Sequence, residues 1–190
     1  TRKDGSAVTV PMMVLGDTAV TDGKDFKQLY GRVDSTRILE LPYSGDRLVM
    51  DILLPDSGAF DYFERKISRQ MIDSLINSLS LIALPPVQIP RFEFSTASIS
   101  LKNALTAMGM EDAFSETAAD FSGMSETPLF VSDVVHKAFI KVNEKGTEAA
   151  AATGVVFATV SVTAPKIFIA NRPFVYLIRD TQTKSILFMG

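Results

Sequence analysis

The sequence contains no cysteine, no tryptophan and only one histidine among its 190 residues. Without cysteine the chain can form no disulfide bond and has no thiolate nucleophile. A single histidine is too few for a zinc site, because such sites draw their ligands from several His and Cys side chains. These absences exclude a disulfide scaffold, thiol catalysis and a His/Cys metal centre, and we expect no metal and no cofactor.

Long apolar runs and clusters of one charge are also missing. No apolar stretch approaches the roughly 18 residues of a membrane-spanning helix, so we expect no membrane partner. The net charge is −3 and the cations are scattered. That pattern argues against a nucleic-acid partner, because phosphate binding needs clustered Lys and Arg.

A β-hairpin is the strongest local signal that is present. Residues 35–42 and 48–55 are predicted strands that flank the turn Tyr43-Ser44-Gly45-Asp46. The second strand is so continuously apolar that we expect it to be buried on both faces. Residues 8–15 form another apolar run, in which Pro11 predicts an edge strand.

Helices and further strands follow this hairpin. Apolar residues at helical spacing predict helices around Phe60–Ile67, Met71–Leu79 and Leu101–Met108, the third with Ser98 or Ser100 as its cap and Gly109 as its stop. Residues 88–94 are predicted to be extended, and strands are predicted at 131–142, 166–170, 174–179 and 186–189. The pattern indicates an α+β fold in which strands are in the majority.

No group of residues forms a recognisable catalytic site. His136 lies in a predicted strand, where a lone histidine is better explained as a structural hydrogen-bonding residue than as a base. The pair Glu111-Asp112 is interpreted as a solvated helix end, and no glycine-rich phosphate loop occurs. We therefore expect that the protein is not an enzyme.

The stretch from Asn143 to Gly154 is the most informative in the chain. It reads Asn143-Glu144-Lys145-Gly146-Thr147-Glu148-Ala149-Ala150-Ala151-Ala152-Thr153-Gly154. By propensity the four alanines favour a short helix, and a flexible linker is a further alternative. However, the stretch lies between a predicted strand and a β-branched segment, and it has a third interpretation as a mobile hinge.

Several motifs in matching order favour the hinge. The stretch is similar, residue by residue, to the reactive-loop hinge of the serpins, a family of serine protease inhibitors. Further motifs resemble serpin segments along nearly the whole chain: Val10-Pro11-Met12-Met13, Ala119-Asp120-Phe121-Ser122-Gly123-Met124, Val131-Ser132-Asp133-Val134-Val135-His136-Lys137, Asn171-Arg172-Pro173-Phe174 and Leu187-Phe188-Met189-Gly190. The resemblance implies a serpin-like fold with several sheets, of which this chain is the C-terminal half.

The resemblance also implies a mechanism. A target serine protease attacks an exposed loop, here about residues 144–165, and forms a covalent acyl complex. The cut loop then inserts into the central sheet as a new strand and distorts the protease. The residues implied as hinge are Glu144, Gly146, Thr147, Glu148, Ala149, Ala150, Ala151, Ala152 and Thr153.

The alternation of the loop sequence is compatible with insertion. A strand directs successive side chains to opposite faces. One phase is small or apolar throughout: Thr147, Ala149, Ala151, Thr153, Val155 and Phe157. The other phase contains the charge of Glu148, and no proline interrupts residues 144–163, so each amide can join a ladder.

The family's spacing from the hinge glycine places the scissile bond at Val160-Ser161. The neighbouring residues Phe157, Ala158, Thr159 and Val162 flank it, and Ala158-Thr159 and Thr159-Val160 remain alternative bonds. A small β-branched residue at Val160 suits an elastase-like protease. Trypsin-like proteases require Arg or Lys, and the nearest cation, Lys166, lies too far along the chain.

The chain also departs from the family pattern. A whole serpin has about twice this length, so residues 1–190 are expected to be part of a single serpin domain whose N-terminal half is a necessary partner. His136 matches a histidine that, in the family, bonds across the insertion gap, and we interpret it as a structural latch whose partner lies in that half. The resemblance favours a secreted or extracellular protein, although the residues themselves leave the compartment open.

The alternative function is that of a non-inhibitory serpin, such as a carrier, a chaperone or a storage protein. Such members tend to have bulky, charged or proline residues in the hinge. The uninterrupted small residues Ala149 to Ala152 argue against this alternative.

Overall fold

The computed structural model describes residues 2–15, 27–83, 87–143 and 168–190. The described strands are β1 (Met12–Leu15), β2 (Lys27–Val33), β3 (Thr36–Pro42), β4 (Leu48–Pro55), β5 (Ser80–Ala83), β6 (Val87–Pro90), β7 (Phe92–Ser95), β8 (Ile99–Ser100), β9 (Val135–His136), β10 (Phe139–Val142), β11 (Val175–Asp180) and β12 (Ile186–Met189). The described helices are α1 (Phe60–Lys66), α2 (Arg69–Asn77) and α3 (Lys102–Ala107), with a short 3-10 helix at Asp112–Phe114. None of the described helices is long and apolar enough to cross a membrane.

The chain divides into two compact units. Thr1–Arg91 and Asn143–Gly190 form the first unit, and Phe92–Val142 form the second. The first unit contains a six-stranded antiparallel sheet with the strand order β12-β11-β4-β3-β2-β5. It also contains the antiparallel pair β1-β6, which Ile169 extends through a parallel bridge to Gln88.

The predicted hairpin is the centre of the six-stranded sheet. β3 pairs with β4 from Thr36↔Pro55 to Pro42↔Val49. The turn between them has positive φ at Gly45 and Asp46, and the Tyr43 N–H donates to the Leu48 carbonyl. β4 is buried from its second residue to its last, which confirms the prediction from its continuous apolar sequence.

The core of the first unit lies between one face of this sheet and the two helices that follow β4. Ser68 caps α2 by accepting a hydrogen bond from the Met71 N–H. Ile72 and Leu75 are the buried residues of α2, and Phe63 is the buried residue of α1. The core cluster consists of Ile38, Leu53, Phe63, Ile72, Leu75, Val175 and Leu177.

One glycine in this unit is required because a strand and a helix come close together at its position. Gly31 lies in β2 beside Ser78, the residue that ends α2. A Cβ atom at Gly31 would lie 2.2 Å from the Ser78 Oγ and 2.8 Å from its carbonyl carbon and oxygen. Only glycine fits this position without a backbone shift.

A buried ionic cluster occupies the same sheet. The Arg179 Nε donates to Asp51 Oδ2 at 2.8 Å, and its Nη2 donates to the carboxylate of Glu40. Asp51 is fully buried, and Glu40 and Arg179 are 8% and 6% exposed. Two buried carboxylates therefore share one guanidinium.

Several predicted boundaries need correction. The strand expected at 8–15 begins only at Met12, immediately after Pro11, because proline cannot donate to the ladder. The strand expected at 131–142 consists of two short strands, β9 and β10, and residues 131–134 are not in a strand. Of the strand expected at 166–170, the described part contributes only the bridge at Ile169. The strands β2, β5 and β8 are additional to those that the pattern predicted.

Candidate functional site

Most of the predicted site lies outside the described residues. This applies to the hinge residues Glu144, Gly146, Thr147, Glu148, Ala149, Ala150, Ala151, Ala152 and Thr153, and to Phe157, Ala158, Thr159, Val160, Ser161 and Val162 around the predicted scissile bond. Their roles stay predictions. The described chain includes the strand that leads to them and the segment that follows them.

The strand before the predicted loop belongs to a two-stranded ribbon in the second unit. β10 pairs with β7 from Phe139↔Ser95 to Val142↔Phe92. Further along the ribbon, β9 pairs with β8 at Ile99↔His136 and Ser100↔Val135. Among the described residues, each of these strands has one partner strand.

The two ends of the ribbon differ in register by one residue. From Ser95↔Phe139 to Ile99↔His136 the chain advances four residues on one strand and three on the other. Ala97 and Ser98 therefore lie opposite Lys137 alone, which is the arrangement of a β-bulge. This bulge interrupts the strand that we predicted to be continuous over 131–142.

Thr96 makes the hydrogen bonds at the bulge. Its backbone N–H donates to the Ala138 carbonyl at 2.9 Å. The Ala138 N–H donates to the Thr96 Oγ1 at 2.9 Å, and the hydroxyl lies 3.4 Å from the Ala138 carbonyl, to which it can donate. A threonine hydroxyl thus replaces a backbone carbonyl as the acceptor in the ladder.

Side chains hold the register at each end. In β7 and β10, Glu93 and Lys141 are directly opposite and form an ion pair of 2.7 Å. At the end of β8, the Ser100 hydroxyl donates to Asp133 Oδ1 at 2.5 Å, and the N–H of the next residue, Leu101, donates to the Val134 carbonyl at 2.8 Å.

His136, the predicted latch, lies in β9 opposite Ile99 and is exposed. Its side chain makes no hydrogen bond within the part of the chain that the structure describes. The ribbon around it carries exposed apolar side chains, namely Phe94, Ile99, Val135 and Phe139, which are 44%, 51%, 62% and 59% exposed. The latch role stays a prediction.

The segment after the predicted loop is firmly built into the first unit. Phe168 is fully buried, and the Gln88 N–H donates to its carbonyl at 2.9 Å. β11 then pairs with β4 on one side and β12 on the other. At the end of the chain, Tyr176 and Gly190 exchange two backbone hydrogen bonds.

Within the described ranges, no group of three or more His, Cys, Asp and Glu side chains could hold a metal ion.

A carboxylate stabilises a turn in the segment that precedes β9. The Asp120 carboxylate accepts from the Ser122 N–H at 3.0 Å. Hydrogen bonds from the side chain and backbone of Ser122 lower the pKa of Asp120. This contact stabilises a turn in residues 119–124, one of the motifs that resemble serpin segments.

Comparison with known families gives one match along the full length. The model of the serpins, described as serine protease inhibitors, matches residues 1–190. The chain belongs to the serpin family. The α+β architecture agrees with this membership, and the resemblance seen in the motifs is confirmed.

Curated serpins and solved serpin structures are similar to large parts of the chain. An uncharacterised serpin-like protein of Methanosarcina acetivorans is 43% identical over 165 residues, which are 85% of this chain and 38% of that protein. The leukocyte elastase inhibitor of Xenopus tropicalis is 41% identical over 160 residues, covering 81% of this chain and 42% of the relative. The crystal structure of native protease nexin-1 with heparin has a TM-score of 0.72 at 29% identity, over 99% of this chain and 47% of that one. The chain therefore spans less than half the length of the serpins that it matches.

Proposed function

We propose that this chain carries the reactive loop of a suicide-substrate inhibitor of elastase-like serine proteases. The observation that supports the proposal most directly is the position of β10. This strand ends at Val142, two residues before Glu144, which is the first residue of the predicted hinge. A strand paired along β7 thus leads directly into a stretch of small residues that can enter a sheet.

The chemistry begins as ordinary proteolysis. The serine hydroxyl of the protease attacks the carbonyl carbon of Val160, and the bond from that carbon to the Ser161 nitrogen breaks. The serine oxygen becomes the ester oxygen of an acyl-enzyme, and the proton passes to the leaving amine. Insertion of residues 147–157 then competes with the water that would hydrolyse the ester.

Insertion can supply enough free energy to deform the protease. About a dozen new ladder hydrogen bonds contribute roughly 1 kcal/mol each. Burial of Val155 and Phe157 adds roughly 1.5–3 kcal/mol each. The sum, about 15–18 kcal/mol, is on the same scale as the stability of a protease domain, about 5–15 kcal/mol.

We further propose that residues 1–190 act as part of one serpin domain, together with the segment that their relatives possess beyond the matched region. Insertion needs a strand on each side of the new one, and β10 supplies one side. The partner of His136 and the second side of the gap are assigned to that further segment.

The proposal is tested by incubating the intact protein with neutrophil or pancreatic elastase. We expect an SDS-resistant complex. We also expect a C-terminal peptide that begins at Ser161, identified by its mass. Trypsin should be inhibited poorly. A peptide that begins at Val162 or later would show that the scissile bond is misassigned, and cleavage without any complex would contradict inhibition.

A charge in the inward phase of the hinge should separate trapping from cleavage. Thr147→Arg in the intact protein should convert the inhibitor into a substrate, because an unpaired cation is costly to bury during insertion. Glu148→Arg is the matched control in the outward phase, and it should keep trapping elastase. Equal stoichiometry of inhibition for both variants would contradict the assigned phase.

A second candidate function, that of a small-molecule carrier, is favoured by one cavity. A pocket of about 360 Å³ lies between α2 and the strands β11 and β12. Ile72, Ile76 and Ile186 form its apolar lining, and its charged side chains are Arg69, Asp73, Arg179 and Lys184. Arg69 is paired with Asp73, and Arg179 is paired with Glu40 and Asp51. Among the described residues, Lys184 is therefore the cation that the pocket offers to an amphipathic anion. Anilinonaphthalene sulfonate should bind the intact protein and be lost in Ile186→Trp if this candidate is correct, and equal binding to the variant would exclude this pocket.

A further inference from the structure

The bulge in the ribbon separates two segments that are held in different registers. In one segment Glu93 and Lys141 lie directly opposite each other and form an ion pair. In the other, Ser100 and Asp133 are joined by a hydrogen bond beside the pair Ile99↔His136. The one extra residue between the segments must be accommodated somewhere along the ribbon.

Thr96 accommodates it at one place. In an antiparallel ladder, two residues of a hydrogen-bonded pair exchange both backbone bonds. Thr96 and Ala138 exchange only one, from the Thr96 N–H to the Ala138 carbonyl, at 2.9 Å. The second bond runs from the Ala138 N–H to the Thr96 hydroxyl. The Thr96 hydroxyl therefore accepts the hydrogen bond that the Thr96 carbonyl would accept in a regular pair.

The position of the bulge determines which residues of β7 lie opposite the side chains of β10. Ile140 and Val142 lie opposite Phe94 and Phe92, and these two aromatic rings are stacked with centroids 6.1 Å apart. If the bulge moved along the ribbon towards Phe92, β10 would slip by one residue. Lys141 would then face Phe94, and every side chain of β10 would change its partner.

We propose that Thr96 is a positioning residue, whose hydroxyl fixes the bulge and so sets the register of the strand that leads into the reactive loop. The register of β10 is independent of the proposed function, and only the expected effect on inhibition rests on that function. The loop follows Val142 in the chain, so the register of β10 sets where the hinge begins. A slipped β10 displaces the hinge by one residue relative to β7 and slows correct insertion.

The register can be measured by crosslinking. This chain has no cysteine of its own, so a pair introduced at opposed positions reports directly on the pairing. The pair S95C and F139C should crosslink in the observed register, and the pair S95C and I140C should crosslink only after a slip. In a Thr96→Val background we expect the S95C–I140C crosslink to increase about fivefold, the factor expected for loss of one ordinary hydrogen bond. Thr96→Ser keeps the hydroxyl and should restore the wild-type pattern.

The role in inhibition is measured separately. The ribbon around Thr96 is exposed among the described residues, so water can bind the Ala138 amide when the hydroxyl is absent. Valine should therefore cost no more than one ordinary hydrogen bond, and it should lower the thermal midpoint by a few degrees at most. The share of elastase encounters that end in cleavage without trapping should rise about fivefold in Thr96→Val and return in Thr96→Ser. An unchanged crosslink pattern in Thr96→Val would overturn the register assignment. A shifted pattern with unchanged partitioning would overturn the role in inhibition, and absence of trapping by the wild type would refute the proposed function while the crosslinks still decide the register.

Discussion

Arg179 is bound to two buried carboxylates, and this imbalance affects the ionisation of Glu40. Burial and the charge of Asp51 raise the pKa of Glu40, although Arg179 acts in the opposite direction. Burial alone would lower the pKa of Arg179, but its hydrogen bonds and the charges of Asp51 and Glu40 raise it above its usual value. The guanidinium therefore stays charged, and Glu40 keeps its proton to a higher pH than an ordinary glutamate does.

Stability should depend on the protonation of Glu40. Because its pKa is raised in the folded protein, its contribution is fully present below pH 4.5, the ordinary pKa of glutamate, and is lost as the pH rises through the folded value. Glu40→Gln keeps an acceptor for Arg179 and carries no charge. Relative to wild type, the variant should become more stable as the pH rises towards neutrality, by on the order of 1 kcal/mol.

Thermal unfolding of both proteins between acidic and neutral pH checks this expectation. Glu93→Gln is the matched control, because Glu93 is 53% exposed and its ion pair with Lys141 lies at the surface. Such pairs contribute about 0–1 kcal/mol, so the control should change the thermal midpoint little. A pH profile of Glu40→Gln parallel to that of the wild type would contradict the assignment.

At the scale of the elements, the sequence predicts those whose signals are local. The apolar run of β4, the turn after β3 and the helical spacing of α1 and α2 are each complete within a few residues, and the structure confirms them. The third helix also ends as predicted, with positive φ at Gly109. Its N-cap is Leu101, one residue after Ser100, whose hydroxyl accepts from the Lys102 N–H at 3.3 Å.

The elements that were not predicted depend on distant partners. β2 has the sequence Lys27-Gln28-Leu29-Tyr30-Gly31-Arg32-Val33, which shows no clear alternation, and it is a strand because β3 and β5 pair with it on both sides. The bulge at Ala97 and Ser98 arises from two registers fixed by residues more than thirty positions apart in the chain, such as Ser100 and Asp133. No local pattern contains that information. The predicted loop residues 144–165 came from family resemblance and lie outside the described ranges.

Contact between β2 and α2 gives a prediction at this scale. Gly31→Ala places a methyl group against the backbone of Ser78 and should destabilise the protein by about 1–3 kcal/mol through overpacking. Gly123→Ala is the matched control, because a Cβ atom at Gly123 meets nothing within 4 Å. Thermal midpoints distinguish the two variants. An equal effect of both would show that the approach of β2 and α2 does not restrict the side chain at residue 31.

At the scale of the whole molecule, the serpins that match this chain are longer than the region that they share with it. The relatives are covered over 38% to 47% of their own length. In the described part, β10 pairs only with β7, and Phe139 and Val135 of the ribbon are exposed. An unpaired edge with apolar side chains favours association with another strand.

We therefore expect that residues 1–190, produced alone, do not trap elastase. They should associate with other copies, because no described strand pairs with the other side of β10, where insertion requires one. The control is the same chain joined to the remainder of a serpin domain, which should trap elastase and stay monomeric. Light scattering and an SDS gel provide the two measurements, and a monomeric chain of 190 residues that traps elastase by itself would refute the expectation.

The place of β11 in the first unit determines what a cut in the loop leaves behind. β11 is hydrogen-bonded to β4 on one side and to β12 on the other, and Leu177 is fully buried. Hydrolysis between Val160 and Ser161 would therefore release nothing into solution. The nicked molecule would migrate as one particle on a gel-filtration column and separate into two polypeptides only in denaturant, so the short fragment must be sought after unfolding and not in the filtrate of a native digest.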